Sequence, residues 1–148
     1  MSDIKTREYK LNGSVTVTLP HGTEFAKLGA RHGENSSFRD YADVLESRKP
    51  FRTSGSLAGA PVEPCAWRDC GRLSDKWRES VRAASYIVWS WWTPVAWYVP
   101  ECGWVIPAHG TAGQGVESTS TVQHMNKIRM AVTVFGGYSD VPVVPTGE

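Results

Sequence analysis

The sequence has little of what stabilises small secreted proteins or draws a protein to polyanions. It contains three cysteines in 148 residues, an odd number that cannot be fully paired within one chain. Its 16 basic and 15 acidic side chains give a net charge of +1, so no global attraction to nucleic acid or anionic lipid is expected. A disulfide scaffold and a strongly basic nucleic-acid binder are therefore both disfavoured.

Long hydrophobic runs are also missing. The uncharged stretch Tyr86–Pro100 contains two prolines and is shorter than the roughly 18 apolar residues that a spanning helix requires. Residues 1–10 alternate in charge and lack the apolar segment of a secretory leader. We therefore expect no membrane span, no export and reduced thiols in a cytoplasm.

Catalytic motifs are scarce. The sequence has no Gly-x-Ser-x-Gly elbow, Walker A loop, dinucleotide fingerprint or His-Glu-x-x-His pattern. His21, His32 and His109 each precede a glycine, and a histidine base with Ser36, Ser37 or a cysteine as nucleophile would suit a small hydrolase. Common loop composition explains these residues better, so the sequence predicts no enzyme and leaves a hydrolase as an alternative.

The cysteines offer only weak metal ligands. Cys65 and Cys70 are separated by four residues, at the loose end of zinc spacing, and Cys102, His109 or His124 would complete four ligands. A second close pair is missing, and free cysteine usually packs as a small buried hydrophobe. We therefore expect no metal and no cofactor, and a metal-binding protein stays an alternative.

Local patterns predict a mixed α+β domain. Asn12-Gly13 lies between two runs with period-two alternation, which is typical of a β-hairpin. Capping residues and apolar spacing predict about three helices, which begin near Ser36, Ser74 and Ser118. Residues 21–35 and 50–66 are predicted loops. We expect one domain over residues 1–135 and a flexible tail over 136–148.

Tryptophan is the unusual abundance, because it occurs seven times and exceeds phenylalanine and tyrosine. Most of it falls in three predicted antiparallel strands, Tyr86–Trp92, Val95–Val99 and Trp104–Ile106. The first strand carries large aromatics on both faces, so its second face must be covered by the chain's own helices or by a partner. The residues predicted to contact a partner are Trp89, Trp91, Trp92, Trp97 and Trp104.

Two predicted helices support an alternative in which the chain binds nucleic acid. Arginine and lysine would contact phosphates, and glutamine and asparagine would read base edges. Acidic neighbours weaken any basic patch, so a solvated helix face explains these side chains better. The residues concerned are Arg72, Lys76, Arg78 and Arg82 on the second helix and Gln123, Asn126, Lys127 and Arg129 on the last.

One segment resembles a known group of proteins. The steps Thr93-Pro94-Val95-Ala96-Trp97 and Trp104-Val105-Ile106-Pro107, followed by Ser118–Thr121 and His124, are similar to a small uncharacterised domain encoded by tailed phages, especially those of actinobacteria. The resemblance covers roughly residues 84–130. Ala108–Gly115 is longer and richer in glycine than the family pattern. The spacing from the Ser/Thr cluster to His124 also departs from that pattern, which leaves the role of His124 open.

The resemblance implies a phage accessory protein that acts in the cytoplasm of a bacterial host. The family carries no established activity. Together with the missing catalytic motifs and the aromatic strands, it favours a non-enzymatic protein that binds a host macromolecule, most naturally a host protein. Self-association of the chain is a further expectation, because exposed tryptophan is common at interfaces.

Overall fold

A computed structural model describes residues 5–13, 15–29, 38–53, 55–64, 73–107 and 119–145. The described elements comprise nine strands and three α-helices, with a 3-10 turn over Asp75–Trp77 directly before α2. In chain order they are β1 (Thr6–Lys10), β2 (Thr16–Pro20), β3 (Ala26–Leu28), α1 (Phe38–Glu46), β4 (Phe51–Thr53), β5 (Leu57–Pro61), α2 (Arg78–Arg82), β6 (Tyr86–Ser90), β7 (Thr93–Val99), β8 (Gly103–Val105), α3 (Thr119–Phe135) and β9 (Tyr138–Ser139).

Seven strands form one sheet in the order in which they occur in the chain, β3 to β9. Its centre is an antiparallel meander from β4 to β8, whereas the two edge pairs, β3–β4 and β8–β9, are parallel. Parallel neighbours need a long crossover, and α1 and α3 provide the two crossovers. Strands β1 and β2 form a separate antiparallel hairpin.

Helices α1 and α3 cover one face of the sheet and pack against each other. Tyr41 and Leu45 of α1, together with Ile128 and Val132 of α3, are buried in the same cluster as Tyr86 of β6. This cluster forms because the side chains alternate along each strand, so that Tyr86 and Val88 face the helices while their neighbours point away.

The N-terminal hairpin and α2 cover the other face. Leu19 of β2 and Val81 of α2 share a second buried cluster with Ile87 and Trp97 of the sheet. The aromatic sheet is thus covered on both faces by this chain. The strand with large aromatics on both faces therefore needs no partner protein to cover its second face, because elements of the same chain cover it.

The mixed α+β class, the N-terminal hairpin and the three helices confirm the prediction. The turn inside the hairpin differs, since neither Asn12 nor Gly13 adopts the left-handed conformation that a type I′ turn requires. Instead the Leu11 amide donates to the Val15 carbonyl at 2.8 Å, and the Asn12 side chain accepts the Val15 N–H at 2.9 Å.

The predicted loops hide three strands. Residues 21–35 contain β3, and residues 50–66 contain β4 and β5. The sequence of β5, Leu-Ala-Gly-Ala-Pro, resembles a linker, but its small side chains make room for neighbouring rings. A Cβ atom built on Gly59 would lie 2.9 Å from the Tyr86 hydroxyl and 3.3 Å from the Phe51 ring. Close packing, rather than propensity, therefore makes this segment a strand.

The predicted tail also needs correction. Tyr138 and Ser139 form β9 beside β8, and the Ile106 amide donates to the Ser139 carbonyl at 2.9 Å. The domain therefore continues beyond Phe135 to at least Ser139. Within the described ranges, no helix has both the length and the apolar character needed to cross a membrane.

Candidate functional site

The five tryptophans predicted to bind a partner divide into two groups. Trp89, Trp97 and Trp104 are at most 6% exposed and belong to the two buried clusters. Trp91 and Trp92 are 52% and 43% exposed. Only the second group can touch another molecule without rearrangement, so burial restricts the predicted contact surface to these two adjacent residues.

The buried group stabilises the fold. The Trp97 indole N–H donates to the Ser80 hydroxyl of α2 at 2.8 Å, and its ring meets that of Trp77 edge to face, with centroids 5.8 Å apart. A buried indole needs an acceptor for its N–H, and Ser80 is one of the few fully buried polar residues of the described chain. Trp97 thus fastens α2 to the sheet.

The exposed group forms what we call the tryptophan turn, Trp91-Trp92, which joins β6 to β7. Ser90 pairs with Thr93, so the turn is a two-residue hairpin loop. Trp91 has φ of 56°, whereas Trp92 is not among the residues with positive φ. This pattern matches a type II′ turn, in which glycine normally takes the first position. A bulky residue at this position destabilises the folded state by about 1–3 kcal/mol relative to an unstrained backbone.

The tryptophan turn is held by the N-terminal hairpin. The Asn12 side-chain amide donates to the Trp91 carbonyl at 3.0 Å and to the Ser56 carbonyl at 2.7 Å. The Trp91 amide also donates to Ser56, at 3.2 Å. A Cβ atom on Gly13 would lie 3.3 Å from the Trp91 ring, so the ring rests across the hairpin backbone. The turn is therefore fixed in place although both indoles are exposed.

The residues of the nucleic-acid alternative lie on opposite sides of the sheet. Helix α2 packs with the hairpin, whereas α3 packs with α1 on the other face. The structure therefore does not bring the two basic helices together into one surface. Arg72 and the Gln123 side chain lie outside the described part of the protein.

The described cations of the two helices have local partners. Arg78 pairs with Asp75 at 3.2 Å, and Arg82 pairs with Glu79 at 3.5 Å. The Lys76 ammonium lies 5.3 Å from the Trp77 ring centroid. These exposed pairs partly neutralise α2 and contribute little to stability.

On α3, Arg129 donates to the Asn126 side chain at 2.9 Å and to the Pro107 carbonyl at 2.6 Å. The Lys127 ammonium lies 5.4 Å from the Tyr41 ring centroid, between α3 and α1. Burial lowers the pKa of Lys127, and Asp40 acts in the opposite direction. These contacts give both cations a role in joining elements of the fold.

The predicted metal ligands are not assembled by the described residues. Cys102 is an exposed thiol in the turn between β7 and β8. Cys65, Cys70 and His109 lie outside the described residues, as does the side chain of His124. Across the ranges that the structure covers, no three His, Cys, Asp or Glu residues come close enough to hold a metal ion.

An open cleft that the sequence does not signal lies at the end of the sheet where α1 and α3 both terminate. Its volume is about 620 Å³, and Arg48, Tyr98, Trp104 and Tyr138 are among its lining residues. Its residues come from five separate elements (α1, β7, β8, α3 and β9) and the turns beside them, so no local motif could have revealed it. We call it the aromatic cleft.

Comparison with known proteins adds no assignment. No family model, curated protein or solved structure matches this chain.

Proposed function

We propose that this chain is a phage accessory protein that acts without catalysis, by binding a host protein through the tryptophan turn. The observation that carries the proposal is the display of Trp91 and Trp92. Two large indoles are exposed on a turn that several hydrogen bonds hold in place. The phage origin and the bacterial cytoplasm rest on the resemblance of residues 84–130.

Energetic cost supports a binding role for the turn. Glycine at position 91 would adopt the same backbone without strain, yet the chain places its largest side chain there, half exposed. Strained backbone tends to occur where function requires it. Packing of the Trp91 ring against Gly13 offsets only part of this backbone strain, since about half of the Trp91 surface is exposed to solvent.

Preorganisation supports the same role. Binding is weakened when loops and side chains must be ordered on association. Here Asn12 and Ser56 order the turn beforehand, and tryptophan is among the commonest residues that dominate interface energies. The expected partner surface is a protein pocket that accepts two adjacent indoles and provides a hydrogen-bond acceptor for an indole N–H.

Site-specific crosslinking tests the proposal. A photoreactive phenylalanine analogue in place of Thr93, directly after the turn, leaves both indoles intact. This variant is expressed in an actinobacterial host, and crosslinked products are identified by mass spectrometry with and without nuclease treatment. We expect one nuclease-resistant protein product. Affinity for that purified partner should fall at least about 30-fold in Trp91→Ala or Trp92→Ala.

Met130→Ala is the matched control, because Met130 is 53% exposed on α3, on the other side of the sheet. It should bind the partner as the unaltered protein does. Equal loss in the control and the tryptophan variants would contradict a site at the turn. A nuclease-sensitive product would favour nucleic acid, and a crosslink to a second copy of this chain would favour self-association.

A further inference from the structure

A strained residue places a cation at the mouth of the aromatic cleft. Arg48 follows α1 with φ of 52°. Its amide donates to the Leu45 carbonyl at 3.2 Å, and the Lys49 amide donates to the Val44 carbonyl at 3.0 Å. These two bonds form a Schellman motif, whose left-handed position is usually glycine. Arginine at this position is strained relative to glycine.

The Arg48 guanidinium stacks on the Tyr98 ring and forms no ion pair with a described residue. Its central carbon lies 4.2 Å from the Tyr98 ring centroid. Among the described residues, Arg48 has no carboxylate within ion-pair distance, and its side chain donates one long hydrogen bond, of 3.5 Å, to the Glu46 carbonyl. Stacking holds the guanidinium plane and leaves its N–H groups available to an acceptor.

A second donor without an acceptor belongs to Trp104, a residue that also lines the cleft. Trp104 is 4% exposed, and its indole N–H is buried with no acceptor among the described residues. The Trp104 ring meets Tyr98 on one side and Tyr86 on the other, each at 5.8 Å between centroids. A buried N–H without a partner is costly, and the loss is recovered when a ligand supplies an oxygen.

We propose that the aromatic cleft binds a small aromatic monocarboxylate, whose oxygen atoms accept from Arg48 and from Trp104 after a small opening of the cleft. The ring of the ligand packs among Tyr98, Phe135 and Tyr138, which also line the cleft. The volume of about 620 Å³ lies within the range of small-molecule sites.

Charge selects a carboxylate over a more highly charged anion. Glu46 and Arg48 are the charged side chains that line the cleft, so their formal charges cancel. The C-terminus of α3, which carries the negative end of the helix dipole, also borders it at Phe135. With one cation set against these two negative contributions, a second negative charge on the ligand would be repelled, so a monoanion is preferred to a dianion.

Binding of phenylacetate, followed on the intact protein by two-dimensional ¹H–¹⁵N NMR, tests the proposal. The Trp104→Phe variant assigns the Trp104 indole signal. We expect phenylacetate to move that signal saturably at millimolar concentration or below, while the Trp91 and Trp92 indole signals stay in place. Phenylacetamide, acetate and phenyl phosphate should each bind at least about tenfold more weakly.

Variants of Arg48 test whether phenylacetate binding depends on the guanidinium itself and not on the stability of the fold. Arg48→Gly suits the left-handed backbone and removes the guanidinium, so phenylacetate binding should be lost while the thermal midpoint is kept. Arg48→Asn, which also tolerates this backbone, is the second test. Arg7→Gln is the matched control, because Arg7 lies 5.4 Å from the Tyr9 ring centroid, outside the cleft.

Three outcomes would overturn the proposal. They are unchanged phenylacetate affinity in both Arg48 variants, equal binding of phenylacetamide, and the absence of any Trp104 shift up to about 10 mM phenylacetate. Tighter binding of phenyl phosphate would overturn the preference for a single charge. None of these results bears on the tryptophan turn, which shares no residue with the cleft.

Discussion

The Asn12 side chain donates a hydrogen bond to the Trp91 carbonyl at 3.0 Å, although 79 positions separate the two residues in the chain. This bond joins the tip of the N-terminal hairpin to the turn between two strands of the main sheet. The hairpin therefore does more than cover a face of the sheet, because it also determines the position of the two exposed indoles.

Asn12→Ala should destabilise the protein by about 1–3 kcal/mol, because the carbonyls of Ser56 and Trp91 lose a donor and the Val15 amide loses an acceptor. Urea unfolding measures this change. Asn126→Ala is the control, since Asn126 is exposed and its bond to Arg129 lies at the surface. It should stay within about 0.5 kcal/mol, and equal losses in both variants would contradict the role given to Asn12.

Ser80→Ala should cost about 1–3 kcal/mol, because the buried Trp97 indole N–H keeps its position and loses its acceptor. The measurement is the free energy of unfolding. Ser47→Ala removes another hydroxyl, one that donates to the Asp43 carbonyl at the surface, and should change stability by less than about 0.5 kcal/mol. If Ser80→Ala were as mild, the bond would contribute nothing.

Gly59→Ala should destabilise the sheet by about 1–3 kcal/mol, since the new methyl group would lie 2.9 Å from the Tyr86 hydroxyl. In a Tyr86→Phe background that oxygen is absent, so the same substitution should cost less. A double-mutant cycle in urea measures the coupling. Gly136→Ala, where a Cβ atom would meet nothing within 4 Å, is the control; additive effects would contradict the steric explanation.

Alkaline pH should destabilise the protein through two buried tyrosines. Burial raises the pKa of Tyr86, opposed by Arg48, and raises the pKa of Tyr41, with a further contribution from Asp40. The native state therefore keeps protons that the unfolded chain releases above its ordinary pKa of about 10. Stability is complete below that pH and falls above it, by up to about 1.4 kcal/mol per pH unit for each tyrosine.

The contribution of Lys127 to the pH dependence of stability has the opposite sign to that of the two tyrosines. Its lowered pKa means that the unfolded chain holds more protons, so its contribution rises as pH approaches the ordinary lysine pKa of about 10.4. Urea midpoints between about pH 8 and pH 11 should fall less steeply in Tyr86→Phe and more steeply in Lys127→Gln. Parallel pH profiles for the three proteins would contradict this account.

The sequence predicts those elements that are stabilised mainly by interactions between residues close together in the chain. The two strands of the hairpin, helix α3 and the aromatic strands β6 to β8 are present as predicted. The first aromatic strand is predicted to run to Trp92, but β6 ends at Ser90 and Trp91-Trp92 form the turn, because Ser90 pairs with Thr93. The missed strands β3, β4, β5 and β9 carry weak local signals, and each is defined by hydrogen bonds to a strand distant in the chain. Gly59 illustrates the reason, because its place beside Tyr86 depends on a partner 27 positions later.

The sequence indicated part of one candidate site, the tryptophan turn, and nothing of the other, the aromatic cleft. Tryptophan content alone indicates an interface, but five indoles are predicted to take part and only Trp91 and Trp92 are exposed. The aromatic cleft was not predicted at all. Arg48 carries no motif, and its left-handed backbone and its stacking on Tyr98 arise only when α1 and β7 are packed together.

By itself, the sequence determined the α+β class, the hairpin, the helices and a central run of aromatic strands, because periodicity and capping act over a few residues. Tertiary structure alone decided which indoles are exposed, that the two basic helices lie on opposite faces, and that Arg48 and Trp104 share a cleft. These properties depend on packing between residues far apart in the chain, and no local pattern specifies them.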